Sequence, residues 1–231
     1  MAQLARTQMS PMAFALPTGD ELPDHPAIDS ENDDFSLTFT GPVVVGGPNV
    51  TLAGSAKSIY HQVVKLNPNY DADFSFNKSD AENSNTSTST SSMSSLQPRD
   101  DHAIQRMADA NDPDLGPQHG TFDCDIDDKV VHDAVSRCIE GFDYLQKLGN
   151  AACGAAPNST ARVSCSEKCG LFYHNLTPFH RDRPCIDVRN DLVRILRKCG
   201  NSVWLGESWD AKGRLTKPDG KDYVELRRDK C

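Results

Sequence analysis

The chain has 231 residues and a formal net charge of −9, and its charges and cysteines are unevenly distributed. Residues 1–100 carry five Lys and Arg against twelve Asp and Glu, whereas residues 124–231 carry eighteen against sixteen and contain all eight cysteines. The near-neutral charge of the cysteine-rich part argues against strong nonspecific binding to DNA or RNA, since such binding depends on an excess of positive charge.

The first 118 residues are predicted to be an acidic, largely disordered pro-region and linker. Residues 1–35 are rich in Pro, Asp and Glu and show no hydrophobic periodicity. Residues 35–66 have spacings that suit a hairpin and a short helix, but Gly and Pro interrupt them, and we interpret this segment as loosely ordered. Residues 75–97 are low-complexity Ser, Thr and Asn, typical of a flexible linker, and the following Arg99 is a candidate processing site.

The N-terminus lacks a clear secretion signal. The apolar run Met12–Leu16 that follows Arg6 is shorter than the core of a signal peptide. No stretch of the sequence is long enough to cross a membrane, so stable membrane insertion is not expected. Five Asn-x-Ser/Thr sites nevertheless suit a secretory route and are candidate glycosylation sites. They are Asn49, Asn77, Asn85, Asn158 and Asn175.

The cysteines predict a disulfide-bonded domain covering residues 119–231. Their density matches that of small secreted disulfide scaffolds, so we expect an extracellular protein without a metal or other cofactor. An intracellular metal-binding protein is an alternative, but the sequence has no Cys-x-x-Cys pair. Eight cysteines allow many pairings, so their connectivity stays open. They are Cys124, Cys138, Cys153, Cys165, Cys169, Cys185, Cys199 and Cys231.

The first predicted element of this domain is a helix that follows the acidic segment 125–128 and runs to about Leu148. Apolar residues recur along it at three- and four-residue steps, and acidic residues at its start are favoured by the helix dipole. The spacing of Asp123, Asp125 and Asp127 is like the opening of a calcium loop. The required Gly and distal Glu are missing, so no calcium site is expected.

Two further elements carry pairs of cysteines. Residues 160–174 are predicted to form one strand with Cys165 and Cys169 on the same face, about 13 Å apart. Residues 185–200 are predicted to form an amphipathic helix with a cysteine at each end of its apolar face, about 20 Å apart. Both separations are too long for a disulfide, so each of these cysteines must bond another part of the chain.

The C-terminal residues are predicted to form two paired strands. Residues 202–208 and 222–228 would pair across a Gly-, Lys- and Pro-rich loop, and Cys231 would anchor the last strand. The order helix, strand, helix, strand, strand predicts an α+β fold. We expect a small disulfide-rich sandwich of two helices on an antiparallel sheet.

Several short segments carry a family resemblance. They are Cys153-Gly154, Arg162–Ser166, the Cys185–Cys199 helix, the Gly206–Asp210 turn and Tyr223–Leu226 before Cys231. On these segments, the stretch from Cys138 onwards resembles small secreted fungal cysteine-rich proteins and is similar to killer-toxin-like α/β-sandwich proteins. The resemblance implies an extracellular effector or toxin that acts on a host or competitor target by binding, without catalysis.

The candidate binding surface is cationic. Basic residues on and before the Cys185 helix suit an acidic protein, a lipid headgroup or RNA, and Trp209 suits a binding loop. The alternative is a solvated helix face whose aspartates neutralise half of this charge. We expect a monomer with an unknown protein or membrane-surface target. The basic residues are Arg181, Arg183, Arg189, Arg194, Arg197 and Lys198.

A small secreted hydrolase, for example a ribonuclease, is a second hypothesis. His174 and His180 with Asp182 and Asp187 suit an acid–base cluster. The His-Arg-Asp triplet at residues 180–182 also occurs in protein kinases, but the other kinase motifs are missing. Neither Gly-x-Ser-x-Gly nor His-Glu-x-x-His occurs in the sequence, so no catalytic residue is predicted.

Overall fold

The computed structural model describes residues 36–74, 120–203 and 208–231, which include all eight cysteines. These residues form an α+β fold with four helices, two antiparallel sheets and a separate two-stranded hairpin. The predictions for residues 1–35 and 75–119, including the low-complexity linker and Arg99, lie outside the described residues.

The elements follow one another as strands and helices of short to moderate length. In chain order they are β1 (Leu37–Pro42), β2 (Asn49–Gly54), α1 (Ala56–Leu66), α2 (Tyr70–Asp73), β3 (Thr121–Asp123), α3 (Ala134–Leu148), β4 (Ala152–Ala155), β5 (Thr160–Ser166), β6 (Cys169–Asn175), β7 (Arg181–Pro184), α4 (Cys185–Cys199), β8 (Asn201–Val203), β9 (Ser208–Asp210), β10 (Gly213–Thr216) and β11 (Asp222–Arg228).

Both sheets are antiparallel and combine strands that are distant in sequence. The four-stranded sheet has the order β2-β1-β4-β7, and the five-stranded sheet has the order β3-β10-β11-β6-β5. Helix α3 packs against α4, β5 and β6, and α4 also packs against β10 and β11. The inward side chains of these elements form a continuous hydrophobic core. The outer face of the five-stranded sheet is therefore free to carry polar side chains.

Residues 36–66, which we expected to be a loosely ordered part of a pro-region, belong to the same fold as the cysteines. Strand β1 pairs with β2 on one side and with β4 on the other, so it lies inside a sheet. Helix α1 packs on α3, where Lys57 lies 2.7 Å from Glu140 and the rings of Tyr60 and Tyr144 are 5.3 Å apart. The predicted domain boundary near residue 119 is therefore wrong, because the apolar side chains of residues 36–66 complete the same core.

Residues 160–174, predicted as one strand, form a hairpin of β5 and β6. Glu167 and Lys168 make its two-residue turn, with φ values of 47° and 72°. Positive φ at both positions is typical of the type I′ turn that closes tight hairpins. Ser166 therefore pairs with Cys169, and Cys165 with Gly170, on adjacent strands. The prediction of a single extended strand is wrong, and so is the separation of the two cysteines derived from it.

The last hairpin also differs from the prediction. Strand β11 pairs with β10, which lies inside the stretch predicted to be a loop, whereas β8 and β9 pair only with each other. Helix α3 begins later than predicted because Val131 makes a β-bridge with Ala211 and Asp133 has a φ of 52°. Gly149 ends α3 as predicted, and its N–H donates to the carbonyl of Leu145.

All eight cysteines lie in four disulfides. The prediction that the two cysteines of α4 bond other parts of the chain is confirmed, as is the different pairing of the two cysteines that flank the β5–β6 turn. The Cα–Cα distances of 5.1, 5.4, 4.9 and 5.3 Å are typical of disulfides. The pairs are Cys124–Cys199, Cys138–Cys169, Cys153–Cys185 and Cys165–Cys231.

Candidate functional site

Two of the arginines predicted to form a cationic patch surround one buried carboxylate. The Asp191 side chain is 1% exposed and lies 2.5 Å from Arg183 Nη2 and 2.7 Å from Arg194 Nη1. Lys217 reaches the same carboxylate at 3.1 Å. A buried carboxylate requires such partners, because removal from water costs several kcal/mol per ion. Most of the positive charge of these arginines is therefore offset by carboxylates within the protein.

Arg181 is paired in a similar way. Its Nε donates to the carboxylate of Asp222, which is fully buried, and its Nη2 lies 2.7 Å from Asp219. Although burial opposes it, the hydrogen bond to Asp222 and the charge of this carboxylate raise the pKa of the Arg181 guanidinium. Arg183 also lies 3.5 Å from Asp222, so one network joins both carboxylates. We call the residues Arg181, Arg183, Asp191, Arg194, Lys217, Asp219 and Asp222 the ion network.

The remaining members of the predicted patch lie outside the ion network. Arg197 and Arg189 make interactions within the protein. Trp209 is half-buried and packs against the hydrophobic core, which is the ordinary structural role of a tryptophan at a strand. Lys198 is exposed at the end of α4. Within the ion network, three carboxylates offset most of the charge of four cations.

His180 lies on the outer face of the four-stranded sheet. Its Nε2 is 2.7 Å from Asp182 and 3.2 Å from the hydroxyl of Thr38 on β1. Gly154 lies directly below, and a Cβ at that position would collide with both the Asp182 carboxylate and the imidazole. The glycine of the Cys153-Gly154 motif thus allows this pair to approach the sheet.

His174 lies on the outer face of the five-stranded sheet and has different neighbours from His180. Its Nδ1 is 2.8 Å from the Thr160 hydroxyl, and its ring stacks on Tyr223 with centroids 4.0 Å apart. Its Nε2 is 3.9 Å from Glu225 and has no hydrogen-bond partner. The two histidines therefore do not share a partner, and the predicted cluster with Asp182 and Asp187 is not formed.

Glu225 is the centre of a second group of charges on this sheet face. It is almost fully buried, and it lies 3.1 Å from Arg214 on β10 and 2.6 Å from Arg227 on its own strand. Arg214 stacks over Tyr223 and Arg227 over Phe172. We call His174, Glu225, Arg214, Arg227 and Tyr223 the sheet-face cluster. Sequence reasoning misses it, although the alternation along β11 is the signal that places three of its members on one face.

The environment of His174 strongly disfavours its charged form. Burial lowers its pKa to about 3, and the positive charges of Arg214 and Arg227 act in the same direction. At neutral pH the imidazole is therefore uncharged and cannot act as a proton donor. It is also a weak base there, since efficient general catalysis needs a pKa near the working pH.

The loop between β6 and β7 presents two exposed apolar side chains. Leu176 is 52% exposed and Phe179 is 74% exposed. We call residues 176–179 the contact loop. Large apolar side chains so exposed on a single short loop are typical of residues that anchor a binding partner.

Buried Asn175 makes hydrogen bonds to backbone groups of the contact loop. Its Nδ2 lies 2.6 Å from the carbonyl of Phe179 and 3.1 Å from that of Ala155, and its Oδ1 accepts from the N–H and hydroxyl of Thr177. The N–H of Leu176 donates to the carbonyl of Lys221 in the neighbouring turn. A loop that is fixed before binding loses less conformational entropy when it binds.

The candidate glycosylation sites differ in accessibility. Asn175 is 1% exposed and its amide is fully engaged, so it cannot carry a glycan in the folded protein. Asn49 and Asn158 are exposed and remain candidates. Asn77 and Asn85 lie outside the described residues.

The cysteines leave no thiolate to bind zinc, because all eight are paired. In the described ranges, no group of three His, Cys, Asp or Glu side chains has the arrangement of a metal site. Among the same residues, no helix is both long and apolar enough to span a bilayer. No family model, curated protein or solved structure matches this chain, so the side chains described above carry the functional inference.

Proposed function

We propose that this chain is an extracellular binding protein that recognises a protein partner through the contact loop. The observation that carries this proposal is an exposed phenylalanine, Phe179, whose carbonyl is held by buried Asn175. Such an aromatic anchor on a rigid loop suits insertion into an apolar pocket of a partner. The loop needs no further ordering, which favours binding.

An extracellular location is supported by the four disulfides. Disulfides form and persist in oxidising compartments and are rare where glutathione keeps thiols reduced. We also infer that α3 and α4 form one layer and the five-stranded sheet the other layer of a two-layer sandwich. The resemblance of the sequence to killer-toxin-like fungal proteins leads us to propose the same kind of role, as an effector or toxin acting on a host or competitor cell.

The test compares Phe179→Ala with Val45→Ala, which removes another exposed apolar side chain, in the β1–β2 turn. The oxidised proteins are labelled, and their saturable binding to intact fungal and plant cells is measured. We expect Phe179→Ala to weaken binding on the order of tenfold or more, because anchors contribute most of the affinity. Val45→Ala should bind like the wild type. Saturable binding that is unaffected by Phe179→Ala, or a wild type that binds none of these cells, would contradict the proposal.

A second candidate function is the cleavage of RNA at the sheet-face cluster. The observation that favours it is a carboxylate, Glu225, placed between two guanidiniums and an uncharged imidazole. The guanidiniums would bind the phosphate, and His174 would accept the proton of the 2′-hydroxyl as this group attacks the phosphorus. The bond from phosphorus to the 5′-oxygen then breaks, and the leaving oxygen takes a proton from water. The low pKa of His174 makes it a poor base at neutral pH, which ranks this candidate second.

A fluorescent RNA oligonucleotide tests this candidate. If it is correct, the wild type cleaves the RNA between pH 5 and 8, and His174→Gln lowers the rate on the order of a hundredfold, a typical contribution of a general base. His61→Gln, which replaces an exposed histidine on α1, is the matched control and should cleave like the wild type. Intact RNA after incubation with the wild type, or equal rates in all three proteins, would exclude the candidate.

A further inference from the structure

A cationic cavity of about 210 Å³ lies where the start of α3, the β5–β6 turn and the end of β11 meet. Four of its five lining residues are basic: His132, Arg137, Lys168 and Arg228. The fifth, Val131, is apolar. This cavity is separate from both the contact loop and the sheet-face cluster, since it shares no residue with either.

A disulfide positions two of the four basic residues. Arg137 directly precedes Cys138, and Lys168 directly precedes Cys169, and these cysteines are bonded with their Cα atoms 5.4 Å apart. Arg137 Nη1 also donates to the carbonyl of Glu167 at 3.0 Å. The two cations are therefore held at the cavity by a covalent bond and by the tight turn of the hairpin.

The other two basic residues are positioned by backbone pairing. The N–H of Arg228 donates to the carbonyl of Lys129 at 2.9 Å, which ties the end of β11 to the segment before α3. His132 Nδ1 lies 2.6 Å from the carboxylate of Asp210. Although burial opposes it, this contact and a backbone hydrogen bond from Asp133 hold the pKa of Asp210 below its ordinary value.

No carboxylate is among the lining residues, so the three permanent cations are not neutralised within the cavity. Asp210 pairs with His132 at its edge, and Asp229 is engaged at 3.7 Å with Arg162 on β5. Like charges that line one cavity repel one another, and a bound anion would relieve this repulsion.

We propose that this cavity binds the phosphate group of a phosphate monoester. Guanidinium and ammonium groups on several sides suit a tetrahedral oxyanion, which offers more acceptor oxygens than a carboxylate. The volume is below the range of pockets that enclose a whole drug-sized ligand. The phosphate therefore enters the cavity, and the group that carries it stays outside.

The experiment measures binding to the full oxidised chain by isothermal titration calorimetry. The probes are inorganic phosphate, a nucleoside 5′-monophosphate and the same nucleoside without phosphate. We expect both phosphate probes to bind and the nucleoside not to bind. A monophosphate that binds more tightly than inorganic phosphate indicates a monoester as the natural ligand, whereas equal or tighter binding of inorganic phosphate would overturn the monoester assignment.

Lys168→Gln and Arg228→Gln each remove one exposed cation from the cavity and should weaken phosphate binding on the order of tenfold, the effect of losing one charged hydrogen bond. Lys198→Gln at the end of α4 is the matched control and should bind like the wild type. Circular dichroism and nonreducing mass spectrometry confirm that the variants are folded and fully oxidised.

The ring protons of His132 give a second readout that does not depend on a variant. Phosphate should shift their NMR signals and leave those of His180, which lies on the other sheet, unchanged. No binding of either phosphate probe, equal weakening in the Lys198 control, or signals of His132 that do not respond to phosphate would overturn the proposal.

Discussion

His174 lies between Thr160 and Tyr223 on the five-stranded sheet, with its imidazole largely removed from water. Glu225 faces it from β11 at 3.9 Å, but Arg214 and Arg227 lie close to the same carboxylate and oppose protonation of the ring. The presence of a histidine at position 174 does not by itself reveal that its protonation is disfavoured. The tertiary structure decides it, because packing buries the ring and the strand register brings two guanidiniums to the same face.

The low pKa of His174 predicts that stability falls as the solution becomes acidic. The pKa is about 3 in the folded protein and about 6.5 in the unfolded chain, so between these values the unfolded state binds more protons. From pH 7 to pH 5, this group alone should lower the free energy of unfolding by about 2 kcal/mol. Denaturant unfolding at a series of pH values measures the effect.

The comparison that isolates His174 is a pair of glutamine variants. His174→Gln should lose less stability between pH 7 and pH 5 than the wild type, because the titrating ring is gone. His61→Gln, at an exposed position on α1, should keep the wild-type pH dependence. If His174→Gln and the wild type have the same slope, the folded imidazole is not held in its neutral form.

At the scale of elements, the main finding is that β1 and α1 belong to the core. The apolar alternation in β1 is visible in the sequence, but Gly and Pro around it favour a loose segment. The pairing of β1 with β4 joins residues more than a hundred positions apart. A partner so distant in sequence cannot be identified from the local residue pattern. The pattern therefore reveals the strand but not that the strand belongs to the cysteine-rich domain.

A substitution in β1 tests this membership. Phe39 is fully buried, and Phe39→Ala should lower the free energy of unfolding by about 3–5 kcal/mol through the cavity it leaves. Val45→Ala, in the exposed β1–β2 turn, should change it by less than about 0.5 kcal/mol. The measurement is denaturant unfolding followed by circular dichroism and by tryptophan fluorescence.

The cooperativity of unfolding distinguishes a segment that shares the core from a segment that folds separately. If β1 belongs to the core, Phe39→Ala moves both spectroscopic transitions together to lower denaturant concentration. An early transition in circular dichroism alone, with the fluorescence transition unchanged, would mean that the segment unfolds by itself.

The β5–β6 hairpin shows why a turn can escape sequence reasoning. Type I′ turns prefer Asn and Gly because these residues tolerate positive φ. Here Glu167 and Lys168 occupy both positions. The flanking Cys165 and Cys169 are bonded to Cys231 and Cys138, and these two disulfides hold the strand ends that the turn connects. The two disulfides thus constrain a turn that lacks the residues usually favoured at its positions.

At the scale of the whole molecule, the disulfides connect elements that the chain order keeps apart. The bonded cysteines are separated by 31 to 75 residues. Closing loops of this length restricts the unfolded chain and contributes about 3–5 kcal/mol each in the chain-entropy account. Such cross-links are typical of domains that fold in an oxidising compartment.

The near neutrality of the cysteine-rich part has a structural explanation in the ion network. Sequence counting finds almost equal numbers of acidic and basic residues there, and the fold pairs many of them. Three of the six basic residues predicted to form a binding patch, Arg181, Arg183 and Arg194, are members of the ion network. The exposed Phe179 and the cavity at Lys168, which no motif marks, are the stronger candidates.

The sequence by itself determined the α+β class, the apolar faces of α3 and α4, and the need for the two α4 cysteines to bond elsewhere. These properties depend on helical periodicity and on distances along one element, which are local. Only the tertiary structure decided the cysteine partners, the place of β1, the pairing of Arg183 with Asp191 and the exposure of Phe179. These depend on which distant segments meet, and burial and charge pairing exist only after they have met.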